Sequence, residues 1–388
     1  MVGSRPEVSL VTIIREWTRI GCIGFGGPPT HIALLRTLCV ERRQWIPAQE
    51  FEDGVAATNL LPGPASTQLA ILCAWRLRGA AGAIVGGLCF IVPGLVLILA
   101  LSAVVLGGHP PRWIVGAAAS AGAAVPAVAL RAASGLAPAS WRRAGTNTPG
   151  RVRWVVYGVI GAVAAVLSGP YLVVVLVLCG VSEAVIRTRP EQVGPGRALT
   201  SLPLVAVHAT VLGGLGALAW VAFKVGALSY GGGFVIVPLM QHDAVTTYHW
   251  MTGGQFLTAV ALGQVTPGPV VQTVAVVGYA ARGIGGGLLA ALVAFAPSFL
   301  FVLFGGPRFD RIRTNRSVQS FLEGAGPAVI GAIAGSAVSL GLTIHHLWQI
   351  PVLAGAALWL LAARRGVVSA LLVAGVIGVV VALTNVPV

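Results

Sequence analysis

Residues 59–70 read NLLPGPASTQLA and residues 264–275 read QVTPGPVVQTVA. The two stretches lie 205 positions apart and share Pro-Gly-Pro, at Pro62-Gly63-Pro64 and Pro267-Gly268-Pro269, inside apolar sequence. Proline cannot continue an α-helix, since it lacks an N–H and its ring strikes the preceding turn. Each triplet therefore ends one half-helix and opens another, with Pro64 and Pro269 at the first position of the new one. Outward from these triplets the chain keeps repeating itself. GFGG at 24–27 answers SYGG at 229–232, Trp45 answers Trp250, and Glu50-Phe51 answers Gln255-Phe256 at the same offset. After a slip of one residue, Arg78-Gly79 matches Arg282-Gly283 and Pro93 matches Pro297. A duplicated apolar chain marked by helix breakers is the build of many secondary transporters.

Composition gives the solvent. The 388 residues are 56% hydrophobic and only 9% charged, against about 25% charged in a soluble domain. Apolar runs of 18 residues or more recur, each long enough to span a bilayer, and far longer than a barrel strand. The reading is an all-α polytopic membrane protein. Its formal charge of +14 does not point to nucleic acid, because no soluble basic module exists to bind it. The arginines sit between apolar segments, where they orient the chain. Cys22, Cys39, Cys73, Cys89 and Cys179 form no CxxC and read as packing residues. No cleavable signal peptide is expected, since Arg15, Glu16 and Arg19 interrupt the first apolar run.

The division expected is a first repeat over 1–186, a linker over 187–201 and a second repeat over 202–388. Spanning segments are expected near 80–106, 112–136, 153–168 and 170–186, then 284–304, 318–343, 346–363 and 366–384. If the Pro-Gly-Pro segments enter and return as hairpins, the loops 36–50, 76–79, 137–153, 187–197, 305–317 and 363–366 share one side. They carry eighteen arginines, and the loops of the other side carry two. The positive-inside rule puts the first set in the cytoplasm. Letting both segments cross weakens that asymmetry sharply. Five crossings per repeat is an odd number, so the second repeat is expected inverted. The side of the N-terminus stays open, because the charged segment 7–23 either crosses or lies at the interface.

A half-helix opening at mid-membrane presents free N–H groups and a positive dipole end, which favour anions. Asn59, Ser66, Thr67 and Gln68 cluster beside the first break, and Gln264, Thr266, Gln272 and Thr273 beside the second. With the two triplets they make the expected substrate site, the alternative being kinked helices with capping side chains. Arg19 and Lys224 are equivalent at the 205 offset and stand one turn before the glycine breaks. They either neutralise a dianion or snorkel to the interface. Arg131 and Glu323 read as interfacial. The histidines show no metal-ligand spacing, and no metal or cofactor is expected. Nothing in the chain reads as an enzyme: no nucleophile elbow, acidic cluster or P-loop occurs, and Gly283–Gly287 follows no strand.

Taken together, these residues resemble the chromate ion transporter family in its long, two-domain form. The matching marks are FGGPPTHIALLR at 25–36, Arg42, Arg43 and Trp45, EFED at 50–53 and NLLPGPASTQLA at 59–70. In the second half they are SYGGGFVIVPLM at 229–240, Trp250, QFLTAVALGQVTPGP at 255–269 and GYAARG at 278–283. The resemblance implies export of chromate across the bacterial inner membrane, chromate resistance, and halves of opposite orientation. Asn59 departs from the usual Gln but keeps an amide. Gln255 stands where an acid is common, which puts any essential carboxylate there in doubt. Chromate resembles sulfate, so residue types leave open uptake or exchange of sulfate-like oxyanions. The partners expected are the oxyanion and membrane lipid, with a homodimer left open.

Overall fold

A computed structural model describes residues 8–60, 63–108, 110–167, 171–187, 214–229, 234, 236–305, 315–344, 346–384 and 387. Among these the chain is helical and holds no strand. Pro62, most of the 187–201 linker, and the SYGGG glycines lie outside the described residues.

In chain order the helices are α1 (Leu10–Ile23), α2 (Pro28–Arg36), α3 (Ala48–Leu60), α4 (Ala65–Leu106), α5 (Arg112–Ala123), α6 (Val125–Arg143), α7 (Thr148–Leu167) and α8 (Leu172–Arg187). Then come α9 (Leu215–Leu228), α10 (Ile236–Gln241), α11 (Gly253–Val265), α12 (Thr273–Gly305), α13 (Arg316–Gly341), α14 (Gln349–Ala357) and α15 (Val367–Leu383). A 3₁₀ turn, Val270–Gln272, leads into α12. Among the described residues five helical stretches are long and apolar enough to cross a membrane: Ala65–Leu106, Arg112–Arg143 (α5 with α6), Thr148–Leu167, Val270–Gly305 (the 3₁₀ turn with α12) and Arg316–Gly341. Their outer faces expose large apolar side chains, such as Val96, Val159, Leu292 and Phe304, as suits lipid rather than water.

The duplication is written in the backbone as well as in the letters. Each long helix that follows a Pro-Gly-Pro is bent at an Arg-Gly pair. Arg78 and Gly79 have φ −145° and +59°, and Arg282 and Gly283 have −151° and +64°. Only glycine takes such a positive φ without strain. The bend splits α4 into a short arm, 65–77, and a long arm, 80–106. π-Helical turns recur at Thr37–Arg42 and His242–Thr247. Each is followed by a left-handed residue, Gln44 at φ 51° and His249 at 52°. The repeated marks also pack alike. A Cβ on Gly21 would strike the Phe90 carbonyl, and one on Gly226 the Ala294 carbonyl.

Helix α3 and the short arm of α4 lie side by side and antiparallel. Arg76 reaches back to Glu50, with Nε 3.2 Å from the carboxylate and Nη1 donating to the Glu50 carbonyl at 2.7 Å. Gly54 packs on Leu72 and Leu69. The long arms of α4 and α12 cross antiparallel, with Gly87 on Phe299 at one end and Leu99 on Gly287 at the other. The main core runs through this crossing and takes in Trp17, Phe90, Phe256 and Phe295. Trp17 fastens α1 to the short arm by donating from its indole to the Ala70 carbonyl at 2.9 Å. Helix α13 packs on α6, α7 and α8 as a second bundle.

Candidate functional site

The two Pro-Gly-Pro breaks meet at the crossing. Gly63 has φ +119° and Gly268 +102°, so both triplets turn through backbone that glycine alone accepts easily. Each break is held by the long arm of the other half. A Cβ on Gly94 of α4 would strike the Pro267 carbonyl, and the Gln272 amide donates to the Ile91 carbonyl at 2.8 Å. In return, Ser298 of α12 stands beside Gly63. The GFGG turn joins them, since the Gly268 N–H donates to the Gly24 carbonyl at 2.9 Å.

His31 occupies the centre of this junction and is fully buried. Its Nε2 lies 2.8 Å from the same Gly24 carbonyl, and its Nδ1 lies 3.2 Å from the Ser66 hydroxyl. A carbonyl can only accept, so Nε2 carries the proton and Nδ1 accepts from Ser66. One imidazole thus ties the glycine turn to the first half-helix, and Phe90 packs edge-on against its ring at 5.0 Å. Sequence spacing reveals no role for His31, because Ser66 and Gly24 reach it only through the fold.

Beside the breaks opens a cavity of about 860 Å³. Its walls include Gly26, Gly27 and Thr30 of the GFGGP turn, Ala65 after the first triplet and Val270 after the second. The helices opening after Pro64 and after Pro269 carry no side-chain N-cap, so their first N–H groups stay available to a ligand; α2 opens with Pro28 and Pro29, which have no N–H. Asn59 and Gln264, equivalent at the 205 offset, both line the cavity. The Gln264 Nε2 is a buried donor with no partner among the described residues; the Thr67 hydroxyl is another, but Thr67 does not line the cavity. Buried donors left unmade cost about 1–3 kcal/mol each, and such atoms need an explanation.

The wall is otherwise largely apolar, with Phe25, Ile32, Leu136 and Phe234, and carries three cations: Arg131 from α6 and the exposed Arg364 and Arg365 from the turn before α15. No acidic side chain lines the cavity, and none of the three has a carboxylate partner among the described residues. Arg131 is half-buried in the cavity wall. Such a set of cations, amide donors and helix N-termini fits a small anion with several oxygens.

Other expected site residues stand elsewhere. Arg19 is exposed, and Lys224 is bound to Asp243 at 2.6 Å; neither lines the cavity. Asp243 occupies the position equivalent to Leu38, so an acid present at this position only in the second half pairs with the lysine. The Thr266 and Thr273 hydroxyls donate to the Leu262 and Val270 carbonyls, both at 2.8 Å. They offer only lone pairs outward, which repel an anion. Gln68 is fully buried against Gly63, away from the cavity lining. Glu323 pairs with Arg187.

The change at Gln255 also has a local cause. Gln255 closes a capping box with Thr252: its side chain accepts from the Thr252 N–H at 2.9 Å, and its own N–H donates to the Thr252 hydroxyl at 3.2 Å. Its counterpart Glu50 holds Arg76, whose counterpart in the second half is Ala281. Acid and cation are absent there together, and a neutral cap suffices. Among the described residues no group of His, Cys, Asp or Glu could hold a metal ion.

No solved structure matches the chain. The chromate transporter family matches it twice, over residues 11–184 and 216–379. A chromate transport protein of Cupriavidus metallidurans is 31% identical over 349 residues, covering 87% of this chain and 84% of the relative. A probable chromate transport protein of Synechococcus elongatus is 29% identical over 350 residues, covering 88% and 87%. One from Pseudomonas aeruginosa is 28% identical over 350 residues, covering 86% and 82%. With two matched segments across most of its length and relatives aligned nearly end to end, this multi-pass membrane protein belongs to the chromate transporter family.

Proposed function

We propose that the protein is a secondary transporter that exports chromate across the bacterial cytoplasmic membrane and thereby confers chromate resistance. The observation that carries this reading is the cavity between the two broken helices, lined by Arg131, Arg364, Arg365, Asn59 and Gln264 with no acid among the described residues of its walls. The names of the relatives support chromate as cargo. The anion sits near the N-termini opened after Pro64 and Pro269. The amides of Asn59 and Gln264 donate to its oxygens, and the arginines offset its charge.

The division into repeats over 1–186 and 202–388 belongs to the same proposal, as does their inversion. It is supported by the antiparallel crossing of the equivalent arms of α4 and α12. The hairpin of α3 with the short arm of α4 supports re-entrant entry and return rather than a full crossing. Arg364 and Arg365 belong to the arginine-rich set of loops, so the cavity faces the cytoplasm. Access alternates when one repeat rocks on the other, which moves the Gly94–Pro267 and Gly63–Ser298 contacts. An inside-negative potential drives a dianion outward by about 4.6 kcal/mol per 100 mV, at about 2.3 per charge.

Uptake or exchange of sulfate-like oxyanions is the second reading, because cations and amide donors bind chromate and sulfate alike. Chromate uptake into inverted vesicles, with and without excess sulfate, separates the readings. Accumulation of chromate in inverted vesicles is the result expected. Sulfate flux without chromate flux would overturn chromate export in favour of the second reading.

A further inference from the structure

We propose that a second polar cavity, at the shared end of α6, α7, α8 and α13, binds the phosphate of an anionic phospholipid headgroup. Helix α6 ends at Arg143, α7 begins at Thr148, α8 ends at Arg187 and α13 begins at Arg316. Between these ends lies a cavity of about 510 Å³ whose walls include Arg143, Arg153, Arg187, Arg316, Asn147 and Ser320. It shares no lining residue with the cavity at the broken helices.

The charge at this site is arranged rather than scattered. Glu183 is buried and grips two of the arginines. Arg153 donates to it at 2.7 and 3.1 Å, and Arg187 at 2.6 Å. Arg187 also meets Glu323 at 2.5 Å. Two acids therefore face four arginines. Arg143 and Arg316 have no carboxylate partner among the described residues. Among the described residues the excess is two positive charges, on the exposed Arg143 and Arg316, beside Arg153 and Arg187, whose guanidiniums the carboxylates fix in place. A guanidinium so fixed is suited to a phosphate, which it binds through two parallel N–H groups.

The surroundings select a lipid over a free anion. Trp141 and Trp154 meet edge-on at 5.0 Å next to the cavity, the Trp154 indole donates to Ser140 at 2.9 Å, and Arg151 lies over Trp141 at 5.4 Å. Paired tryptophans of this kind sit at headgroup depth. The cavity wall includes Ile186, which is half exposed and stands next to the exposed Val185 on α8. Those apolar side chains provide a track for acyl chains beneath a bound headgroup. The described helix ends Arg143, Arg187 and Arg316 belong to the loops that the charge count assigns to the arginine-rich side, where anionic lipids and basic pockets meet.

The test is the thermal unfolding of the purified full-length protein in detergent. It is titrated with phosphatidylglycerol, cardiolipin, phosphatidylethanolamine or inorganic phosphate. The expected result is a rise in Tm with the two anionic lipids alone. The Arg143→Gln/Arg316→Gln variant should unfold near the lipid-free wild type, because neither arginine balances an acid, and should need at least tenfold more lipid for the same rise. If that variant does not purify, Arg316→Gln alone should need at least threefold more. Equal response to phosphatidylethanolamine, or an unchanged titration in the variant, would overturn the proposal. An equal rise with inorganic phosphate would assign the cavity to free anions and overturn it as a lipid site.

Discussion

Replacing Arg131 by Gln removes one of three cavity cations without stranding an acid. Arg131 is half-buried, lines the cavity and has no carboxylate partner among the described residues. Folding therefore loses little, and the loss falls on the bound anion. A hydrogen bond to a charged group contributes about 1.5–3 kcal/mol, and each 1.4 kcal/mol is a factor of ten. The half-saturating chromate concentration should rise by about ten- to a hundredfold, the lower end being expected for a side chain partly open to water. Arg131→Lys keeps the charge but loses the planar fork, and should fall between the two. The assay is initial uptake into proteoliposomes against chromate concentration, at matched protein and with Tm recorded. A half-saturating concentration within twofold of wild type would refute the assignment of Arg131 to the anion.

Three further outcomes follow from the packing. Lys224→Met leaves Asp243, whose side chain is 9% exposed, without its cation, at a cost on the order of 3 kcal/mol. Adding Asp243→Leu should restore most of the lost Tm if the pair is structural. Gly94→Ala places a Cβ against the Pro267 carbonyl and 2.6 Å from the Gln272 Oε1, so transport should fall more than tenfold. Gly254→Ala, whose Cβ would meet nothing, should leave transport unchanged in the same vesicle assay. Gly79→Ala and Gly283→Ala also enter open space, but at φ +59° and +64°. With ψ −148° and −156° both lie where glycine alone is at ease, so each should lower stability by the backbone strain alone, about 1–3 kcal/mol, measured by denaturant or thermal unfolding.

What the sequence disclosed was what it encodes locally. Pro-Gly-Pro, Arg-Gly and the offset between them locate the breaks and bends, because proline and glycine restrict or free the backbone whatever surrounds them. Asn59 and Gln264 were legible as a pair for the same reason: repetition singles them out. The cation set was not. Arg131 comes from α6 and Arg364 and Arg365 from a turn more than 230 positions later, and only the packing of α14 and its following turn on α6 brings them together. Lys224 looked equivalent to Arg19 until Asp243, an acid in only one half, took it. The hydroxyls of Thr266 and Thr273 looked like donors to a ligand, yet a hydroxyl in a helical turn reaches its own backbone first. The π-turns at 37–42 and 242–247 had no local signature, and His31 gained its role from partners far along the chain.

The most direct test of the oxyanion site is the binding of radiolabelled chromate to purified protein, wild type against Asn59→Ala/Gln264→Ala. Saturable binding by the wild type, competed by sulfate, is expected, with a loss of at least tenfold in affinity in the double variant at unchanged Tm. Wild-type affinity in a well-folded double variant would contradict the placement of the anion between the two broken helices.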